Sequence, residues 1–298
     1  MVKEENNEIS RIPVKKTYKI LINNNLVRSE SNRTYKVMDN NGKFLANVVR
    51  SSKKDLRDAV RYARNTLETW FSKTGYNRGQ IIYRMAEELE NRKNEFITEL
   101  SLMNSKDPVK EVEVSIDRLV YFAGFADKYH HLLGTINNVN NRFVNYSVPE
   151  PVGVVGIVLP DSPSLLPFIS LVIPIVMLGN VVVVLIENNP LSVISFAEVI
   201  IASDVIPGVI NILSGFKNEL VPILANHMDV NQICFIYNEL NEENLKLKEI
   251  IQEGATVNVK RLFIKQIKEE EFYNDNLFKL EFLTNFVEIK TIWIPQMI

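Results

Sequence analysis

Few residues of this 298-residue sequence are of types that carry covalent or metal chemistry; it has one cysteine and three histidines. Cys234 lies in the apolar run ICF, which is typical of a strand interior, so we interpret it as a small buried hydrophobe and not as a nucleophile. His130 and His131 are adjacent and point to different sides of a helix, so they are not expected to share a metal. His227 is assigned a structural role in a loop. We predict no metal site.

Motifs that bind phosphate are also absent, since there is no Gly-x-Gly-x-x-Gly and no Walker loop. A net charge of -2 gives no electrostatic reason to expect nucleic acid as a partner. The N-terminus, MVKEENNEIS, has no apolar core of the kind found in a signal peptide. Together with the single cysteine, which suits a reducing compartment, this favours a cytoplasmic location.

One apolar run could place the chain in a membrane. Residues 165–186, LLPFISLVIPIVMLGNVVVVLI, carry no charge and have the length of a membrane span. Gly179-Asn180 interrupts the run and is a helix stop. We therefore interpret it as a buried helix, a turn and a central strand. A membrane protein remains the alternative that rests on this run alone.

The N-terminal half is predicted to hold hairpins and then helices. Residues 1–17 are expected to form a loose tail. The three asparagines after YKILI and the pair Asn41-Gly42 predict two hairpin turns. Apolar periodicity predicts one helix over 53–71, a second that ends near 100 and follows the breaker GYNRG at 75–79, and a third over 107–133.

The second half changes to alternating strands and helices. A β-ribbon over 143–148 leads into a buried strand over 152–159. The alternating elements that follow are predicted as helix 164–178, strand 180–186, helix 190–203, strand 209–213, helix 217–226 and strand 231–237. This order predicts a parallel, Rossmann-like sheet covered by helices on both faces, an α/β fold. We divide the chain into a tail (1–17), N-terminal hairpins and helices (18–145), a nucleotide-binding-type domain (146–265) and a C-terminal arm (266–298).

With these elements in order, the sequence resembles the aldehyde dehydrogenase family over most of its length. The segments that carry the resemblance are GYNRGQIIYRMAEELENRKNEFITEL, YFAGFADK, EPVGVVGIVLP, LGNVVVVLIENNPLS, DVIPGVINILSGF and LANHMDVNQICF. The resemblance implies an NAD(P)-dependent oxidoreductase fold. It also implies that Pro160, Ser162, Glu187 and Gly215 stand at positions that contact the cofactor.

The residues that the family's chemistry needs are replaced at nearly every step. Ser162 stands where the family has its oxyanion-binding Asn, with Asp161 beside it, and Lys265 stands where the family has its general base Glu. At the cofactor positions, Val184 or Leu185 replaces a lysine, and Lys217 and Tyr237 replace glycines. No cysteine follows Cys234. We predict no catalytic residue, and a cofactor that is absent or an NAD(P) that binds weakly.

The resemblance therefore implies a catalytically inactive member that acts as a non-catalytic subunit of a full-length aldehyde dehydrogenase, as a homo- or hetero-oligomer. The ending FLTNFVEIKTIWIPQMI resembles a C-terminal arm of the family, and this resemblance implies an internal deletion of the catalytic domain that kept the arm. We expect the missing domain to leave apolar surface for another chain to cover. The alternative is an NAD(P)-binding aldehyde oxidoreductase with residual or partner-supplied activity.

Overall fold

The computed structural model describes residues 16–39, 41–103, 105–140 and 142–296. Most of the expected N-terminal tail therefore lies outside the described residues. Thirteen strands occur in this part of the chain: β1 (Thr17–Tyr18), β2 (Ile20–Ile22), β3 (Asn25–Val27), β4 (Thr34–Met38), β5 (Phe44–Val49), β6 (Thr135–Asn137), β7 (Phe143–Pro151), β8 (Val154–Val158), β9 (Val181–Ile186), β10 (Ile210–Ser214), β11 (Gln232–Tyr237), β12 (Arg261–Gln266) and β13 (Val287–Pro295). The α-helices of the same part are α1 (Lys53–Phe71), α2 (Gly75–Asn91), α3 (Lys93–Leu102), α4 (Pro108–Phe125), α5 (Tyr129–Leu133), α6 (Leu165–Met177), α7 (Leu191–Ala202), α8 (Lys217–Asn226), α9 (Glu242–Asn258) and α10 (Leu280–Leu283).

The two predicted hairpins are confirmed. β2 pairs antiparallel with β3 through Asn23 and Asn24, whose φ angles of 53° and 58° suit a tight hairpin turn. β4 pairs antiparallel with β5 across the turn that contains Gly42, with a φ of 76°. The first hairpin does not stay with the N-terminal elements, because β2 pairs with β10 and extends the main sheet.

The helix α1 spans the predicted residues, whereas the prediction of a breaker at GYNRG was wrong. Gly75 is the first residue of α2, with the Thr74 hydroxyl accepting from the Asn77 N–H at 3.2 Å. A Cβ on Gly75 would lie 2.3 Å from the Ala126 carbonyl oxygen, so this glycine permits close packing against the end of α4. The second and third predicted helices are each divided, the former at Arg92 and the latter between α4 and α5.

The main sheet confirms the predicted Rossmann-like class. Its strand order is β12-β11-β8-β9-β10-β2-β3, and the first five strands are parallel. β8 to β11 are buried along their whole length. Helices α6 and α7 cover one face, with α2 to α4 packed outside them, while α1, α8 and α9 cover the other. The strand order reverses between β8 and β11, which is where open α/β sheets bind their ligands.

The apolar run at 165–186 is a core helix, a turn and a core strand. Every residue of α6 and of β9 is buried. The carbonyl groups at the end of α6 are satisfied from the N-terminal helices, by Trp70 Nε1 to the Val176 oxygen at 2.9 Å and by Arg78 Nε to the Met177 oxygen at 2.8 Å. Throughout the ranges described above, no helix has both the length and the apolarity that a bilayer crossing requires.

The segment that follows β12 covers part of the apolar surface that a missing domain was expected to leave for another chain, while β12 itself stays partly exposed. After β12, two 3₁₀ helices, α10 and a third 3₁₀ turn run over residues 269–286. Phe263 of β12 packs against Phe282 and Phe286, with ring centroids 5.6 and 5.3 Å apart. Phe272 and Phe278 stack at 5.9 Å and are buried. Apolar side chains of the segment that follows β12 thus pack where another domain could otherwise lie.

The C-terminal strand forms a separate small sheet. β13 pairs antiparallel with β7 over nine residues, and β6 pairs with the other side of β7. The far end of this arm sheet (β13-β7-β6) exposes apolar side chains, among them Ile136, Trp293 and Ile294. The arm is thus attached to the body at Val287 and exposed at its tip.

Candidate functional site

The four residues predicted to contact a cofactor all lie at the carboxyl edge of the parallel sheet. Pro160 and Ser162 follow β8, Glu187 follows β9, and Gly215 follows β10. These positions surround the point where the strand order reverses, which is where open α/β sheets bind their ligands. The side chains that fill this region decide what it can do.

Asn238 spans the crevice at the reversal point between β8 and β11. Its Oδ1 accepts from the backbone N–H groups of Asp161 and Ser162 at 3.2 and 3.1 Å. Its Nδ2 donates to the carbonyl oxygens of Ser162 at 2.6 Å and of Ile267 at 3.2 Å. One amide therefore bonds the loop after β8 to the loop after β12, and it uses the backbone donors that could otherwise contact a ligand.

Lys217 and Asp161 close the next part of the same edge. The Lys217 ammonium donates to Asp161 Oδ1 at 2.6 Å, and the lysine side chain is only 5% exposed. Asn188 Nδ2 donates to the same carboxylate oxygen at 3.0 Å. The lysine that replaces a family glycine thus lies inside the edge and neutralises the aspartate beside the oxyanion position.

Glu187 is bound within the protein. Its Oε2 accepts from the Lys217 N–H at 2.8 Å, at the start of α8. Its backbone carbonyl accepts from the Tyr35 hydroxyl at 3.0 Å. Burial raises the pKa of Glu187, and the neighbouring Lys217 opposes that rise. The carboxylate that resembles a ribose acceptor therefore caps the N-terminus of α8.

Gly215 allows other residues of the chain, and not a ligand, to lie close to its backbone. Its φ is 155°, a conformation that favours glycine. A Cβ at this position would lie 3.2 Å from Leu220 Cδ1 and 3.3 Å from the Ser51 nitrogen. The space next to Gly215 is thus filled by the chain itself.

The N-terminus of α6, the first helix after the reversal point, holds a carboxylate of the protein. Glu111 of α4 is fully buried, and its Oε1 accepts from the N–H groups of Ser164, Leu165 and Leu166 at 3.1, 2.9 and 3.3 Å. Burial raises the pKa of Glu111, while the Ser105 hydroxyl and the three N–H groups lower it. A helix N-terminus that could bind a phosphate is therefore already occupied by a carboxyl group of the protein. Sequence reasoning missed this residue, although an acid on the buried stripe of a helix was a signal.

The N-terminus of α9 is also closed to a pyrophosphate. Asn241 caps it by accepting from the Asn244 N–H at 2.8 Å. Glu242 and Glu243 lie in the first turn, where their charge repels an anion. Tyr237 stands directly before this turn in place of a glycine.

Cys234, the one cysteine of the sequence, and Lys265, at the position of the family's base, lie on the neighbouring strands β11 and β12. Cys234 is buried in the middle of β11, paired between Ile157 and Phe263, and burial raises the pKa of its thiol. Such a thiol is a weak nucleophile. Lys265 is exposed on the edge strand β12. No cluster of three or more potential metal ligands occurs in the part of the chain with described coordinates.

The chain is similar in sequence to known aldehyde dehydrogenases. The model of the aldehyde dehydrogenase family matches residues 26–238. The chain is 31% identical over 202 residues to the mitochondrial aldehyde dehydrogenase of Rattus norvegicus, which covers 65% of this chain and 38% of the relative. It is 32% identical over 228 residues to an aldehyde dehydrogenase of Emericella nidulans, which covers 75% and 44%. This chain thus spans about two fifths of the length of these curated relatives.

Solved structures agree in fold. The NAD+ complex of an aldehyde dehydrogenase from Bacillus cereus matches with a TM-score of 0.77 at 23% identity, covering 84% of this chain and 51% of that one. PnpE from Pseudomonas sp. WBC-3, in complex with nicotinamide adenine dinucleotide, matches with a TM-score of 0.76 at 24% identity, covering 83% and 50%. At these identities the likeness establishes the fold.

Proposed function

Since the chain belongs to the aldehyde dehydrogenase family, we propose that it is a catalytically inactive member that serves as a non-catalytic subunit of a full-length aldehyde dehydrogenase. The subunit binds no dinucleotide and contributes structure to the assembly. We propose a cytoplasmic location, since a reducing compartment keeps Cys234 a free thiol.

The proposal that the subunit binds no cofactor rests on one observation: Asn238 closes the sheet edge. Its amide takes both N–H groups of the loop after β8 and ties that loop to Ile267. Lys217 and Asp161 fill the adjacent part with an ion pair. A dinucleotide entering here must break these bonds and separate the buried Lys217 ammonium from its carboxylate partner, which is costly. The residues present do not fit NAD or NADP.

The loss of chemistry rests on three positions. Ser162 has its backbone groups bound by Asn238, and Asp161 places a carboxylate near the point where an oxyanion would form. Lys265, an ammonium at neutral pH, cannot accept a proton from water. The one thiol, Cys234, is enclosed in β11.

The subunit role rests on the arm sheet. Its outer strand β13 is an edge, and main-chain pairing with another strand is open to it. Trp293 is 58% and Ile136 88% exposed, and large apolar side chains at the tip of an extension are typical of an interface. The body contributes less than expected to the interface, because residues 269–286 cover part of its apolar surface.

Purification from the native source tests the subunit role. We expect the tagged full chain to copurify with a longer aldehyde dehydrogenase, identified by mass spectrometry, in a fixed stoichiometry. Trp293→Glu in the arm should abolish copurification. Tyr76→Glu, at an exposed aromatic residue on α2, is the matched control and should not. A homogeneous monomer, or equal losses in both variants, contradicts the role.

The second candidate, an NAD(P)-binding oxidoreductase, is favoured by the relatives that bind NAD in solved structures. Titration calorimetry with NAD+ and NADP+ separates it from the first. Saturable heat at millimolar cofactor supports the second candidate and overturns the closed-edge account.

A further inference from the structure

A small pocket between α4 and the C-terminal segment lies outside the site described above. Its volume is about 300 Å³, at the lower end of the size of small-molecule sites. Phe122 and Phe278 form buried walls, and Tyr121 forms a half-exposed one. Three of the seven lining residues are thus aromatic, and the other four are charged: Asp117, Arg118, Asp275 and Lys279.

Arg118 supplies the polar group that can orient a ligand. Its side chain is 4% exposed and lines the pocket. Nη1 donates to the Ser170 hydroxyl, and Nη2 donates to Asp275 Oδ1 at 3.1 Å. The guanidinium has five N–H donors, so three lack a protein acceptor within the described coordinates. Its carbon lies 4.7 Å from the centre of the Phe278 ring.

The ion pair with Asp275 is unequal. Asp275 has a side chain that is 83% exposed, whereas Arg118 is buried. Burial lowers the pKa of Arg118, and Asp275 offsets this change. A solvated carboxylate on a short 3₁₀ helix is a partner that a second carboxylate can replace or join at modest cost.

We propose that this pocket binds a small organic carboxylate with an aromatic body, held by the guanidinium of Arg118 and enclosed by Tyr121, Phe122 and Phe278. Arginine suits this task because its planar donors match a carboxylate in pairs and its face stacks on aromatic rings. Lys279 and Asp117, both exposed, carry opposite charges that offset each other, so the buried guanidinium of Arg118 is the group that recognises the carboxylate. The inference concerns a different part of the molecule from the closed sheet edge and stands without the proposed function.

Calorimetric titration of the full chain with benzoate tests the proposal, with benzamide as the uncharged probe of the same shape. We expect saturable benzoate binding and no benzamide binding. Asp275→Asn removes the competing carboxylate while keeping the fold, and should tighten benzoate binding by about fivefold or more. Asp204→Asn, at the exposed ion pair with Arg84, is the matched control and should leave the affinity unchanged.

The opposing account is that Arg118 and Asp275 only fasten the C-terminal segment to α4. In that case Asp275→Asn lowers the unfolding temperature and benzoate produces no saturable heat in either protein, which overturns the proposal. Equal binding of benzoate and benzamide also overturns it, because the charge of Arg118 would then not be recognised.

Discussion

Lys217 has lost most of its contact with water, and the carboxylate of Asp161 compensates for that loss. The lysine side chain is 5% exposed and the aspartate side chain 45%. We expect Asp161→Asn to reduce the free energy of unfolding by about 2 kcal/mol, below the cost of breaking a fully buried pair because Asp161 is partly solvated. Urea unfolding measures this change. Asp204→Asn, at an exposed pair, should cost less than about 1 kcal/mol, and equal losses would contradict a closed edge.

Glu99 should make stability depend on pH. It is buried, accepts from the Tyr18 and Ser195 hydroxyls at 2.6 and 2.8 Å through Oε1, and leaves Oε2 without a partner. Burial raises its pKa, against the lowering by these hydroxyls. The pKa of Glu99 is therefore higher in the folded state than in the unfolded state. The stability that its protonated form contributes is fully present below the usual glutamate pKa, and it is lost as the pH rises through the folded-state pKa.

We therefore expect Glu99→Gln to gain stability relative to the parent as pH increases from 4 to 7, measured by thermal unfolding. Its amide oxygen can still accept from both hydroxyls. Glu113→Gln, in an exposed ion pair with Lys93 of α3, is the control and should change stability by less than about 1 kcal/mol. A constant difference between Glu99→Gln and the parent across this range would refute the assignment.

At the scale of elements, the N-terminus of α6 depends on one side chain. Glu111 binds three backbone N–H groups there. Glu111→Ala should cost about 3 kcal/mol or more, because buried donors are left unsatisfied. Glu113→Ala, two residues along α4 in an exposed pair with Lys93, should cost less than about 1 kcal/mol. Chemical unfolding compares them, and similar losses would show that Glu111 is not the cap.

The C-terminal segment should behave as part of the core. Phe272 is fully buried, while Phe143 in the arm is 41% exposed. We expect Phe272→Ala to cost about 3–5 kcal/mol and Phe143→Ala much less, measured by urea unfolding. If Phe272→Ala costs no more than Phe143→Ala, residues 269–286 do not cover apolar surface of the body.

Elements with local signals could be predicted from the sequence. The asparagine turn after Ile22 and the apolar stripe of α1 are both determined by neighbouring residues, so their boundaries were correct. The start of α2 at Gly75 was missed, because that glycine's role depends on contact with Ala126 of α4. The packing of Phe272 and Phe278 beside the sheet was also missed, because aromatic residues in a short irregular segment give no periodic signal.

The candidate site shows the same limit. Its location was implied by the family resemblance, but its closure depends on contacts between distant residues. Asn238 contacts Ser162 across 76 positions, Lys217 contacts Asp161 across 56, and Glu111 contacts Ser164 across 53. Residue types alone indicated what was replaced at each position. They could not indicate that the replacements bond to one another.

At the scale of the whole molecule, the chain has the nucleotide-binding fold of its family with the ligand edge filled from within. The interior of the sheet is kept, as in α6 and β9, while the residues around the strand ends bind one another. An arm with exposed apolar residues projects from this closed body. The proposal of a structural subunit rests on this combination.

Titration of the full chain with NAD+, followed by calorimetry, tests this account most directly. We expect no saturable heat at millimolar NAD+ for the natural sequence. The double variant Lys217→Gly and Asn238→Gly removes the ion pair and the amide that close the edge, so it is the variant in which any binding should first appear. Saturable binding of NAD+ to the unaltered chain would contradict the account.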